Sequence, residues 1–260
     1  MKQILTVAGS DSGGGAGIQA DIKSIHANGG FAMSVITSVT AQNTCEVTSA
    51  FDLPIEIIEA QIDAVFSDFE VSAVKTGMLS SAEIVRVVAR KLHHHSPAKI
   101  VVDPVMISKS GFQLLQESAI ETIKSDLIPL ATVITPNVHE AQLLSGLEIQ
   151  NVKEAEVAAE NIHQLGCNSV LVKGGHMEDE TSIDVLFSGD KFWFFESERI
   201  NTKNTHGTGC TYSAAIATQL GLGKDLVSSI EAAKDYITNA IRHSLEIGHG
   251  HGPTNHFYFL

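Results

Sequence analysis

Basic residues are scarce in this chain: 17 lysines and arginines stand against 30 acidic residues, a formal net charge of −13 over 260 residues. A surface that acidic repels nucleic acid and anionic lipid, so neither is expected as a partner. Any anionic substrate then needs a local source of positive charge, such as a metal ion, a lysine or a helix N-terminus. Cysteine is scarce too. Cys45, Cys167 and Cys210 are few and widely spaced; they make no disulfide framework, contain no CxxC pair for structural zinc, and suit a reducing, cytoplasmic compartment. Long hydrophobic runs are missing. The stretch around Ile4–Ala8 is too short for a signal peptide or a membrane span, and nothing later is long and apolar enough either. Repeats, low-complexity tracts and Pro/Ser-rich linkers are also absent. Hydrophobic residues at 43% against 18% charged can fill a core, so one domain over residues 1–260 is expected.

What is present is an alternation. Short Val/Ile/Thr-rich runs predict strands at Ile4–Ala8, Ala32–Thr40, Ala73–Lys75, Ile100–Asp103, Thr132–Thr135 and Ser169–Val172. Helical patterns follow each, at roughly Ala16–Asn28, Ile55–Ser67, Ala82–His94, Ser118–Asp126, His139–Ser145 and Lys153–Leu165. This spells an α/β fold: a mostly parallel central sheet flanked by helices on both faces. Two departures are expected. Cys45–Phe51 reads as an extended flap leaving the main sheet, and Asp184–Phe195, with its Ser188-Gly189-Asp190 turn, reads as an edge hairpin. A small-residue helix over Gly207–Leu220 and a long one over Leu226–Leu245 close the pattern. Ligands of such sheets bind beyond the carboxyl ends of the strands, so the loops there carry the chemistry.

Two glycine-rich loops stand out. Gly9 to Gly17 joins the first strand to the first helix, and Gly15, Gly17 and Ala20 fit the G-x-G-x-x-A dinucleotide fingerprint. The loop before the first fingerprint glycine is too long, however, and no acidic residue ends the second strand to meet a ribose, which argues against an NAD-dependent oxidoreductase. No G-x-x-x-x-G-K-[ST] occurs, so a P-loop is excluded. Asp11 in this loop is a polar group in need of a partner. The second loop, Asn204 to Ala215, feeds a helix of small residues. The N–H groups of Gly207, Thr208, Gly209 and Cys210 would form an anion hole at its positive end, suited to a transferring phosphoryl group. The plain alternative is an ordinary helix with Thr208 as its N-cap.

Gly207-Thr208-Gly209-Cys210 resembles the G-[AT]-G-[DC] signature of the ribokinase-like kinases. Most members carry aspartate last, the base for the substrate hydroxyl; cysteine there marks the hydroxymethylpyrimidine kinase branch. Further similar blocks are Ala8–Asp11, Gly14–Asp21, Ala41–Thr44, Lys75–Leu79, Val102–Met106, Thr135–Asn137, Val172–His176 and Gly250–Pro253, so the resemblance spans nearly the whole chain. It implies a ribokinase-like fold and ATP-dependent phosphorylation of a pyrimidine hydroxymethyl group, then of the monophosphate, in thiamine biosynthesis. Cys210 is then a base, a covalent nucleophile or a positioning group, its thiol pKa lowered by the helix N-terminus. Asp103 and Glu140, with Asn137 in an Asn-x-x-Glu pattern, would hold a hydrated Mg²⁺. Glu140 has a plainer reading as a first-turn glutamate favoured by the helix dipole. Lys173 would place a point charge on ATP phosphates, with Asn137, Thr205 and His206 on the same nucleotide side. Gln42 would address the aminopyrimidine edge, Ala16, Met78 and Val105 would pack on the ring, and Asp11 would meet the hydroxymethyl group or a ring nitrogen.

Pyridoxal kinase is the neighbouring alternative, and a non-catalytic binding module a more distant one. A monovalent cation requirement stays open. A homodimer with Cys45–Phe51 at its interface is expected. His93-His94-His95 reads as a solvated helix end, and His249, His251 and His256 as a tail without the partners a metal needs.

Overall fold

A computed structural model of the chain describes residues 1–106, 116–175 and 181–260. Among these, the strands are β1 (Gln3–Asp11), β2 (Phe31–Gln42), β3 (Val47–Asp52), β4 (Val71–Thr76), β5 (Ile100–Val102), β6 (Val133–Ile134), β7 (Ser169–Val172), β8 (Thr181–Ser188) and β9 (Lys191–Glu198). The helices are α1 (Gly17–Ala27), α2 (Ile55–Asp68), α3 (Ala82–His95), α4 (Glu117–Thr122), α5 (Val138–Ser145), α6 (Val152–His163), α7 (Thr208–Gly221) and α8 (Leu226–Arg242). His176, expected in the block after β7, lies outside the described residues.

The strands form one sheet in the order β3-β2-β1-β4-β5-β6-β7-β8-β9. From β2 to β7 neighbours run parallel, and antiparallel strands close both edges. Alternation along the strands divides the core in two. Ile4, Ala73, Val101, Val133 and Leu171 face α1, α7 and α8, while Leu5, Val74, Val102, Ile134 and Val170 face α2, α3, α5 and α6. The chain turns from β1 to β2 on one side and returns to β4 on the other. That reversal opens a crevice at the carboxyl ends of β1 and β4.

Three expectations are corrected. The segment at Cys45–Phe51 does not leave the sheet. Its Val47–Asp52 part is antiparallel on β2, pairing Val39 with Phe51 and Thr40 with Ala50, because β2 runs on to Gln42 and its far edge needs partners. The helix expected over Ser118–Asp126 is broken: after α4 comes a π turn, Ile123–Leu127, and a 3₁₀ turn, Ile128–Leu130. Pro129, with no N–H to donate, forbids a regular continuation. The last helix stops at Arg242, short of Leu245, whose N–H turns instead to the Pro253 carbonyl. The hairpin forms as expected, with Gly189 and Asp190 both at positive φ, 54° and 63°, as a type I′ turn requires.

Candidate active site

Each parallel strand delivers a side chain to the same rim. Asp11 and Gln42 end β1 and β2, Met78 follows β4, Asp103 follows β5, Asn137 follows β6 and Lys173 follows β7. The structure brings every candidate together: Ala16, Val105, Glu140, Thr205, His206, Gly207, Thr208, Gly209 and Cys210 line the same cleft of about 1210 Å³.

The anion hole expected from the sequence would stand at the start of α7. Gly207 sits at φ 77°, and a Cβ there would collide with the Gly15 carbonyl, so the two glycine-rich loops touch backbone to backbone. Thr208 is not the N-cap. Gly207 holds that place, and the Thr208 hydroxyl donates to the Thr205 carbonyl at 2.8 Å. Gly209 and Cys210, in the first turn of α7, line the cleft, and their N–H groups have no i−4 helical carbonyl to meet. Lys173 comes to this turn from the opposite wall; a side chain on Gly209 would begin 3.4 Å from its Nζ.

Lys173 Nζ donates to Asp103 Oδ1 at 3.0 Å, and Ser213 Oγ donates to Oδ2 at 3.0 Å. Burial works against ionisation of Asp103, but Lys173 and Lys75 hold its carboxyl below the usual range. Glu140 is 5% exposed. It closes a capping box: Asn137 N donates to Glu140 Oε2 at 2.8 Å, and Glu140 N donates to Asn137 Oδ1 at 2.9 Å. The plainer reading of Glu140 is therefore real, yet burial pushes its carboxyl up to about 7, with Lys173 pulling it back and Asp103 adding to the rise. Asp103 and Glu140 share Lys173, while Lys75 is already paired with Asp21. That shortage of positive charge fits a divalent cation arriving with a nucleotide, held by few protein groups and its own waters. Among the described residues no group of three or more His, Cys, Asp or Glu gathers to hold a metal by itself.

The substrate side differs from expectation in two respects. Asp11 does not present a free carboxylate. Oδ1 accepts from Gly13 N at 2.7 Å, and Oδ2 accepts from Ala16 N at 2.8 Å, Gly15 N at 3.1 Å and His206 Nε2 at 2.8 Å. Burial resists the charge, but His206 and the loop amides hold the Asp11 carboxyl low. The loop N–H groups a dinucleotide pyrophosphate would need are thus taken by the loop's own aspartate. His206 stands with Asp11 and Gln42, the residues expected on the substrate side, rather than with Lys173 and Asn137, its expected neighbours. The Gln42 amide accepts from Thr40 Oγ1 at 3.0 Å, and Met78 packs against Gly9.

Cys210 is corrected as well. Its residue borders the cleft, half-buried, but burial pushes the thiol up to about 12. Lys75 draws it down; Asp21 and Asp103 push it further up. Desolvation and two carboxylates outweigh the helix end.

Lys75 and Asp21, whose charges act on Cys210 and Asp103, are a pair that the motifs left without a role. Both are fully buried; Nζ donates to both carboxylate oxygens at 2.9 Å, and Thr6 Oγ1 donates to Oδ2 at 2.6 Å. A lysine inside the apolar run of β4 was their signal. The second missed region is the far wall, where Ile200, Asn201, Ile237 and Ile241 extend the cleft; it joins distant segments and has no short motif. The histidine cluster is also partly structural: His95 Nε2 lies 3.0 Å from Asp63 Oδ1 and its ring stacks on Phe66 at 4.4 Å. His256 bonds Thr211 Oγ1 at 2.9 Å, and burial lowers its pKa to about 4.

The comparisons with known proteins agree with this geometry. The phosphomethylpyrimidine kinase profile matches residues 11–255. A hydroxymethylpyrimidine/phosphomethylpyrimidine kinase of Haemophilus influenzae is 46% identical, covering 100% of this chain and 98% of that one. A thiamine biosynthesis bifunctional protein of Geobacter sulfurreducens is 49% identical over 97% of this chain, which spans about half, 52%, of its length. The structure of an ADP complex of Bacillus subtilis pyridoxal kinase superposes with a TM-score of 0.93 at 38% identity, covering 100% of this chain and 98% of that one. A match that runs from Asp11 through the anion hole to the C-terminal segment places the chain in the phosphomethylpyrimidine kinase family.

Proposed function

We propose that the chain transfers the γ-phosphoryl group of ATP to the hydroxymethyl oxygen of 4-amino-5-hydroxymethyl-2-methylpyrimidine, and then a second one to the monophosphate. The carrying observation is the cleft itself, which gathers the start of α7 and Lys173 with Gln42, Ala16 and Met78 in one lining. The alcohol oxygen bonds to phosphorus, the bond to the ADP oxygen breaks, and the developing charge falls on the N–H groups of Gly209 and Cys210. Lys173 draws the phosphates toward the hole. Asp103 and Glu140 are the residues that would hold Mg²⁺, which when bound shields phosphate charge.

A thiol with its pKa near 12 keeps its proton in the free protein. Cys210 therefore acts in this reading as a positioning group for the hydroxyl, whose proton passes to the transferred phosphoryl oxygen. Transfer depends mostly on alignment and electrostatics, so no strong base is required.

Pyridoxal is the second reading, supported by the likeness to the Bacillus subtilis pyridoxal kinase. An ADP-release assay with both alcohols side by side tests it. Faster turnover of the pyrimidine is expected; preference for pyridoxal would move the specificity argument off Gln42. A homodimer through the β3 edge belongs to the same proposal, since Phe51 there is 65% exposed; a monomeric mass by light scattering would end it. No helix among the described residues is long and apolar enough to cross a membrane, and a cytoplasmic ATP supply suits the reaction.

A further inference from the structure

Segments far apart in the chain meet at His206. Its ring donates from Nε2 to Asp11 Oδ2 at 2.8 Å, with the Gln42 amide 3.4 Å away. Its N–H donates to the Gly252 carbonyl at 3.1 Å, and its own carbonyl accepts from Thr254 N at 3.4 Å, making a parallel bridge with Pro253. The ring lies so close to Gly15 that any side chain there would strike it. The circuit closes on the other side. Gly250 N donates to Thr44 Oγ1 at 3.1 Å and His251 N to the Thr44 carbonyl at 2.9 Å. Ser12 Oγ donates to the Gln42 carbonyl and accepts from Gln42 N, each at 2.8 Å. Four stretches, 11–15, 42–44, 204–207 and 250–254, are thereby tied into one hydrogen-bonded collar around the substrate end of the cleft.

We propose that this collar couples the two halves of the reaction, with His206 as its positioning residue: the imidazole holds the Asp11 loop, to which Gln42 is tied through Ser12, and its backbone fixes the entrance to the anion hole. The proposal rests on the kinase reading above. The coupling follows from the bonds. Asp11 orders its loop through three N–H groups, and its remaining hydrogen bond comes from His206 Nε2, on the loop that precedes α7. Gly207, the next residue, begins the anion hole. The imidazole is thereby tied to the Asp11 loop and the His206 backbone to the residue that begins α7. The far wall of the cleft at Ile237 and Ile241 is on α8, outside the collar.

The test is steady-state kinetics with Mg-ATP and the hydroxymethylpyrimidine on the whole chain and on His206→Leu, His206→Gln, His206→Asn and Thr44→Val. Glutamine can place an N–H near the Nε2 position; asparagine reaches only to Nδ1. Leucine is expected to raise KM for the pyrimidine about tenfold and to lower kcat, the loss of one charge-assisted hydrogen bond, with KM for ATP within about twofold. Glutamine recovers most of the loss and asparagine does not. Thr44→Val raises the same KM by less. Equal changes in both KM values, or asparagine performing as well as glutamine, would overturn the proposal. If His206→Leu fails to fold, the glutamine–asparagine contrast decides. A wild-type chain inert toward the pyrimidine would overturn the kinase reading and the collar proposal together, an outcome separate from any ratio among variants.

Discussion

Replacing Lys75 with methionine should cost this fold more than most single changes. Lys75 and Asp21 have no exposed side-chain surface, and the ammonium bonds both carboxylate oxygens at 2.9 Å. Methionine has nearly the same length but leaves Asp21 with the Thr6 hydroxyl alone. Removing one partner of a buried pair costs about 3–5 kcal/mol, because the remaining charge stays in a dry site. In a chain of this size that lowers Tm by about 6–20 °C. The pH dependence gives a sharper signature. Burial already pushes the Asp21 carboxyl up against the pull of Lys75 and Thr6; without Lys75 it rises further. A carboxyl whose folded pKa exceeds its unfolded value destabilises at higher pH and is relieved as pH falls through the folded value. The deficit of Lys75→Met is therefore largest near pH 8 and shrinks toward pH 5, and adding Asp21→Asn restores most of the loss. Urea denaturation at both pH values measures it. A deficit below about 1 kcal/mol, or one independent of pH, would show that the pair is not a buried ionic unit.

Three further outcomes are expected. Glu140→Gln removes a charge whose folded pKa, about 7, lies above the ordinary 4.5; the variant should be more stable than wild type at pH 8 by up to about 3 kcal/mol, lose that advantage as pH falls through 7 and match wild type below about pH 4, and be weaker with Mg-ATP, as thermal scans and kinetics would show. Cys210, its thiol near 12, should react with iodoacetamide at pH 8 far more slowly than exposed Cys45, and mass spectrometry showing the reverse order would restore a thiolate mechanism. Lys173→Ala leaves Asp103 without its 3.0 Å partner; KM for ATP should rise more than KM for the pyrimidine, and equal rises would remove Lys173 from the phosphate role.

The legible and illegible parts of this chain divide by the range of the physics. The β-runs, the Gly189-Asp190 turn and the start of α7 are decided within a few residues, and their sequence readings agree with the structure. Pro129 is equally local, and its effect on the end of α4 could have been read. Cys210 could not. Its own segment offers a helix N-terminus, which lowers a thiol pKa, but the charges that oppose it stand on α1 and after β5, and the desolvation comes from the whole packed floor. His206 follows the same logic. Its neighbours Thr205 and Gly207 suggest the nucleotide side, while its hydrogen bonds go to Asp11 at the end of β1 and to the backbone at Gly252. A motif names the atoms that reach a cleft. Which protonation state they hold there, and which half of the site they serve, is set by partners that only the sheet order brings together.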